Sequence, residues 1–149
     1  MKTAIIYYSM HHGNTKKLLD AIAAVHPVTL ISVTEQPQAD LQDFDRIGIA
    51  SGIYAGSFAK PLLQFIKEKL PDNKPVFLIS TSAGPKDRYE NSVRRQLSRK
   101  SGCTVLGSYS CLGFNTFGPT KLFGGTAKGH PTEEELDGAV RFYEGLPDV

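Results

Sequence analysis

The stretch Ala4-Ile5-Ile6-Tyr7-Tyr8-Ser9-Met10-His11-His12-Gly13-Asn14-Thr15 decides the fold. Its first five residues are apolar or aromatic with no polar alternation, so they read as a strand covered on both faces. A polar turn containing glycine follows. From Lys16 the pattern becomes helical, with Leu18, Leu19, Ile22 and Ala23 on one stripe. A buried strand passing through a short turn into a helix is the first half of a βαβ unit.

Outward from this segment the alternation repeats. Apolar runs from Val28 to Val33, Arg46 to Ser51, Val76 to Thr81 and Val105 to Tyr109 are separated by helical stripes. Phe58, Leu62, Ile66 and Leu70 form one stripe, and Tyr89, Val93 and Leu97 another. The runs at Ala4, Arg46 and Val76 are the most continuously apolar and belong in the middle of the sheet. The run at Val28 mixes in Thr29 and Ser32, and that at Val105 is diluted by Gly107 and Ser108, so these are edge strands. The expectation is an α/β three-layer sandwich, with a five-stranded parallel sheet of order 2-1-3-4-5 and helices on both faces. A last helix starts at Thr132-Glu133-Glu134-Glu135, a capping-box pattern, and continues through Leu136, Val140 and Tyr143.

Composition agrees with one globular domain over residues 1–149: 40% of residues are hydrophobic and 21% charged. Seventeen basic against fifteen acidic side chains leave a net charge of +2, too little for nucleic-acid binding by charge alone. No apolar run reaches the roughly eighteen residues of a membrane span, and no cleavable leader is evident, so the expected location is cytoplasmic. Cys103 and Cys111 bracket one strand and stand roughly 26 Å apart at the strand's rise per residue, far beyond disulfide reach.

In a doubly wound sheet of this order the ligand crevice lies at the carboxyl ends of the first and third strands. Three loops converge there. Ser9 to Thr15 runs from a buried strand into a helix start, an anion cradle in which backbone N–H groups, the helix dipole and the hydroxyls of Ser9 and Thr15 converge. Neither GxxxxGK[ST] nor GxGxxG is present, which argues against a nucleoside triphosphate or a dinucleotide. The loop holds no cysteine nucleophile, and no acidic residues end the strand. The second loop, Ser51-Gly52-Ile53-Tyr54-Ala55-Gly56-Ser57, surrounds an aromatic with two glycines and suits a flat ligand. The third is Thr81-Ser82-Ala83-Gly84-Pro85.

Tyr7-Tyr8-Ser9 followed by Gly13-Asn14-Thr15 resembles the phosphate loop of the flavodoxin family, a hydroxyl-rich turn ending Thr-Gly-Asn-Thr. His12 stands where the family has threonine, and His11 precedes it; the two imidazoles either donate to a phosphate or are solvated. The resemblance implies a non-covalently bound FMN. Ser9, His11, His12, Gly13, Asn14 and Thr15 would hold its phosphate. Ser51, Gly52, Ile53, Tyr54, Ala55 and Gly56 would lie against the isoalloxazine, with Gly52 or Gly56 as hinge for a peptide that flips toward N5. Thr81, Ser82, Ala83 and Gly84 would meet its pyrimidine edge or ribityl chain.

Residues from Cys111 to Pro131 show no periodicity, and Phe114, Phe117 and Phe123 lie among glycines there. The segment is either a lid or an apolar cluster covering a sheet edge. It resembles a flavodoxin-like subgroup with a CxGF(D/N)TFG segment and a KGxPxEE helix start. Cys111 is expected to be a packed, unreactive thiol. Arg88, Arg95 and Arg99 recur at helical spacing, either as a solvated face or as a docking surface for an acidic redox partner.

The function implied is that of an FMN-binding one-electron carrier. Its partners would be redox proteins of unknown identity, with no nucleic acid and no membrane, and the chain would be a monomer or weak dimer. No catalytic residue or metal ligand is expected. The alternatives are an NAD(P)H-dependent FMN reductase acting on a quinone, and a binding module that has lost its flavin.

Overall fold

The computed structural model describes residues 1–9, 13–113 and 129–149. Strands β1 (Thr3–Tyr8), β2 (Val28–Ser32), β3 (Arg46–Tyr54), β5 (Pro75–Ser82) and β6 (Thr104–Leu112) form a parallel sheet of order β2-β1-β3-β5-β6. Counting parallel strands alone, this is the expected 2-1-3-4-5, with β2 and β6 at the edges. A sixth strand, β4 (Ser57–Phe58), pairs antiparallel with the end of β3. Helices α1 (Asn14–Ala23), α2 (Lys60–Lys69), α3 (Asn91–Ser98) and α4 (Glu133–Glu144) cover the sheet, and a 3-10 turn, Asp87–Glu90, leads into α3.

The period-two geometry of a strand explains why β1 is apolar throughout. Ala4 and Ile6 point to one face and pack with Leu62 and Ile66 of α2 and Val93 and Leu97 of α3. Ile5 points to the other and packs with Leu18, Leu19 and Ile22 of α1 and Ala139 and Tyr143 of α4. All three β1 residues are fully buried. At roughly 1.5–3 kcal/mol for each large side chain taken from water, the central strands anchor the domain.

Several boundaries differ from the sequence reading. Phe58 lies in β4 and not in the first turn of α2, which starts at Lys60. Gly52 pairs with Thr81 inside the parallel ladder, so β3 continues to Tyr54 where the sequence suggested a loop from Ser51 onward. β6 likewise reaches Leu112, which places Cys111 within the strand. Tyr89 belongs to the 3-10 turn, while Val93 and Leu97 are buried as the helical stripe predicts. At α4, Thr132 and Glu135 form both hydrogen bonds of the capping box.

Gly48 has no room for a side chain. A Cβ there would lie 2.5 Å from Phe77 Cζ and 3.0 Å from Ile5 Cγ1. Phe77 in turn meets Phe142 and Tyr143 edge-on, with ring centroids 6.2 and 5.8 Å away. Gly48→Ala should therefore lower the urea midpoint by an amount equivalent to about 1–3 kcal/mol, with the denaturant slope unchanged. Combining it with Phe77→Leu should cost less than the sum of the single changes, because the clash disappears with the ring.

Candidate functional site

Parallel register brings the carboxyl ends of β1, β3 and β5 to one level, with Tyr8 beside Ser51 and Gly52 beside Thr81. Gly13 caps the start of α1 in the left-handed region, φ 64° and ψ 34°. Glycine accepts that conformation without steric cost and brings no capping side chain. The first-turn N–H groups of a helix point out of its end, here toward the turn after β1.

Ser9 provides the most informative atom. Its Oγ is enclosed and takes no hydrogen bond from any described residue. A buried hydroxyl left unpaired costs about 1–3 kcal/mol, which a bound acceptor would recover. Thr15, 1% exposed, brings its Oγ1 to 2.9 Å from that of Thr81, 3% exposed, so the first and third loops meet through two hydroxyls. If Thr81 donates in this pair, the Thr15 hydrogen is left to donate elsewhere. Asn14 is buried and packs so closely that a Cβ on Gly113 would lie 2.8 Å from its Nδ2. Lys16 is drawn away toward Asp20, and this contact holds its ammonium above the usual lysine range.

Ile53 pairs with Phe58 and Tyr54 with Ser57, which makes residues 53–58 a two-residue hairpin. Ala55 and Gly56 at its tip have φ of 52° and 78°, the double positive φ of a type I′ turn. Both are exposed. Gly56 thus holds a left-handed φ, whereas Gly52 is paired within the parallel ladder. Ser51 turns its hydroxyl inward, donating to Gly52 O and accepting from the Ala59 amide at 3.1 Å, so it secures the turn. Tyr54 packs edge-on to Tyr8 at 5.8 Å, and both rings are half-buried. Ser82 is half-buried, and Ala83 and Gly84 are exposed. His11 and His12 lie outside the described residues, as do Phe114, Phe117 and Phe123.

A Flavodoxin domain profile matches residues 5–108, more than half of the chain. The chain belongs to the flavodoxin family. It is 34% identical to an uncharacterized protein of Methanocaldococcus jannaschii over 98% of each chain. The flavodoxin fold is shared with oxidised flavodoxin 1 from Bacillus cereus, at TM-score 0.66 and 14% identity over 99% of this chain and 100% of that one. A flavodoxin from the domain Archaea aligns at TM-score 0.62 and 18% identity, over 95% and 92%. A Lactobacillus acidophilus flavoprotein, solved in complex with FMN, aligns at TM-score 0.55 and 22% identity over 73% and 92%. Among the described residues no helix is long and apolar enough to cross a membrane, and no group of three His, Cys, Asp or Glu could hold a metal.

One cluster of this flavodoxin was missed in the sequence. Glu135 completes its capping box with the Thr132 amide at 2.8 Å and also accepts from Leu112 N, 3.2 Å away at the end of β6, while His130 Nδ1 contacts the same carboxylate. The Glu-at-N3 pattern is visible in sequence, but the reach to β6 is a tertiary fact. Burial favours the neutral carboxyl; the hydrogen bonds from Thr132, His130 and Leu112 outweigh it and hold Glu135 below the usual carboxylate range. Burial, aided by Glu135, pushes the neighbouring Cys111 thiol up to about 12, which makes it the packed, unreactive group expected.

A carboxyl whose pKa is lowered by folding contributes stability above its unfolded value, and the contribution is lost as pH falls through the folded value. Glu135→Gln should cost about 1–3 kcal/mol at neutral pH, because an amide has one acceptor oxygen and turns an NH2 donor toward one of the N–H groups the carboxylate served. The deficit should shrink as wild type is acidified below the usual carboxylate range near about 4.3. Urea unfolding across pH checks both.

Proposed function

We propose that this flavodoxin binds FMN at the carboxyl ends of β1, β3 and β5 and serves as an electron carrier. The observation that supports this best is the Ser9 hydroxyl, enclosed just past the end of β1 and without a hydrogen-bond partner among the described residues. A phosphate monoester matches the donors there: the Ser9 and Thr15 hydroxyls and the first-turn amides behind Gly13. No arginine or metal is required in that set. Asn14 would fix the loop against the end of β6.

Bound FMN would supply reversible one-electron chemistry at its ring. The chain's part is to orient and shield. Tyr8 and Tyr54 offer apolar faces to a flat ring. The Ala55–Gly56 peptide, the only described turn with both central φ values positive, offers a backbone group whose direction can change. Thr81, Ser82, Ala83 and Gly84 present hydroxyl and backbone donors to the ring's polar edge. Exposure of Ala55, Gly56, Ala83 and Gly84 favours electron exchange with an outside partner over enclosure of a second substrate.

Fluorescence titration with FMN and riboflavin tests the reading. Ser9→Ala should weaken FMN binding by about 1.5–3 kcal/mol, the range for hydrogen bonds to charged groups, and leave riboflavin affinity unchanged. The apo-variant should be at least as heat-stable as wild type, because it no longer buries an unpaired hydroxyl. Thr15→Ala should weaken FMN similarly but lower apo-stability through loss of the Thr81 bond. Unchanged FMN affinity in both variants would reject the phosphate site; sustained NADPH oxidation with a quinone would replace carrier by reductase.

A further inference from the structure

The net charge of +2 conceals a strong polarity. Between residues 60 and 100 the chain has ten Lys and Arg against four Asp and Glu, and the remainder has seven against eleven. The fold separates these groups in space. The basic segment builds α2, the 3-10 turn and α3, which pack on one side of the sheet. On the opposite side α4 has five acidic residues and one basic residue.

The cations of the first side are largely uncompensated. Arg94 is paired with Glu90 at 2.9 Å, but among the described residues no carboxylate lies within 4.0 Å of Lys86, Arg88, Arg95 or Arg99. All four are exposed. Lys69 and Lys100 reach the uncharged acceptors Gln38 Oε1 and Lys67 O, so their charge also persists. The acidic groups within residues 60–100 are Glu68, Asp72, Asp87 and the paired Glu90, and the loop carrying Asp40 and Asp43 meets Lys69 and Lys74, away from Lys86 and Arg88, through Gln38, Gln42 and Phe44.

This surface adjoins the crevice. A Cβ on Gly56 would lie 3.9 Å from the Tyr89 ring, and Ser57 Oγ bonds Ser92 Oγ at 2.9 Å. Lys86 and Arg88 immediately precede Tyr89 at this contact, and Arg95 in the last turn of α3 and Arg99 at its C-cap continue the charge one helical turn apart. Among the described residues the exposed large apolar ones are Met1, Val25 and Val149, all outside residues 60–100. A face with charge but no apolar anchor suits fast, transient encounters steered by complementary potential.

We propose that the face running from Lys86 and Arg88 beside the Ala55–Gly56 turn to Arg95 on α3 and Arg99 at its C-terminal end docks an acidic electron-exchanging protein. The acidic α4 side repels the same partner and so helps to orient it with that face inward. Nucleic acid fits less well. Among its described residues the basic face has only Tyr89 as a candidate stacking ring, with Arg88 over it at 5.7 Å, and the opposite face is repulsive to a polyanion. A second copy of this chain would have to set α4 against α3, a heterologous contact between opposite faces of the sheet rather than the self-complementary patch of a two-fold dimer.

The proposal rests on the carrier reading only for its biological consequence, and the surface can be tested without flavin reduction. The probe is an oxidised plant-type [2Fe–2S] ferredoxin, a strongly acidic redox protein, titrated into isotope-labelled, FMN-saturated protein at low salt. Amide shifts and paramagnetic broadening should map to residues 84–100 and not to α4, and should fade when salt is raised to about 0.3 M. Arg95→Glu with Arg99→Glu should weaken binding at least about tenfold, whereas Glu134→Lys with Asp137→Lys should strengthen it.

Mapping to α4, insensitivity to both pairs of changes, or no binding at low salt would overturn the proposal. So would tighter binding of a random-sequence DNA duplex to the same residues at about 0.15 M salt, or self-association in which α3 meets α4. Failure of FMN to bind in the parallel fluorescence titration would reject the carrier reading; the ferredoxin map on apo-protein would still decide the surface.

Discussion

Parallel pairing of β1 with β3 and of β3 with β5 is the constraint on which the other features depend. In a parallel ladder neighbouring strands end at the same level, so the residues after Tyr8, around Gly52 and after Thr81 must form a single rim. Burial enforces the register. Shifting β1 by one residue would move Ile5 into the layer of α2 and α3 and Ala4 and Ile6 into that of α1 and α4, undoing both cores. The rim is thus held by apolar packing well below it, and its polar atoms need contribute nothing to the choice of fold.

That separation explains why polar groups at the rim depart from ordinary folding preferences. The Ser9 hydroxyl is enclosed without a described partner, Gly13 is left-handed, and Ala55 holds positive φ despite its methyl group. The buried hydroxyl and the left-handed alanine cost stability, and all three features follow the carboxyl ends of β1 and β3. Ser51 shows the opposite arrangement, with donor and acceptor both spent inside the chain. Chemical type alone does not distinguish the two serines; only the surrounding hydrogen bonds do.

Much of the architecture was legible because buried strands and amphipathic helices have different periods. The unbroken apolar runs at Ala4, Arg46 and Val76 marked the central strands, and the dilution by Thr29, Gly107 and Ser108 marked the edges. The passage from β1 into α1 was readable as a strand entering a helix through Gly13. Less was visible wherever turn chemistry was disguised. A two-residue hairpin is ordinarily announced by Asn-Gly or Asp-Gly, but here alanine occupies the first central position, so residues 51–57 read as a loop and Phe58 as helix. Contacts distant in sequence were silent for a different reason: nothing in the local pattern places Thr15 against Thr81 or Glu135 against Leu112.

The alanine at the tip of the β3–β4 hairpin has a consequence for motion. An L-residue with a Cβ pays roughly 1–2 kcal/mol to stay left-handed. Reversing the 55–56 amide plane changes ψ of Ala55 and φ of Gly56 while φ of Ala55 stays positive, so the cost of the methyl group is present in both orientations and is greater in the reversed one, where glycine is the residue that fits. The alanine therefore weights the turn toward the orientation it holds at rest, and a glycine at position 55 would relax that turn and bring the two orientations closer in energy.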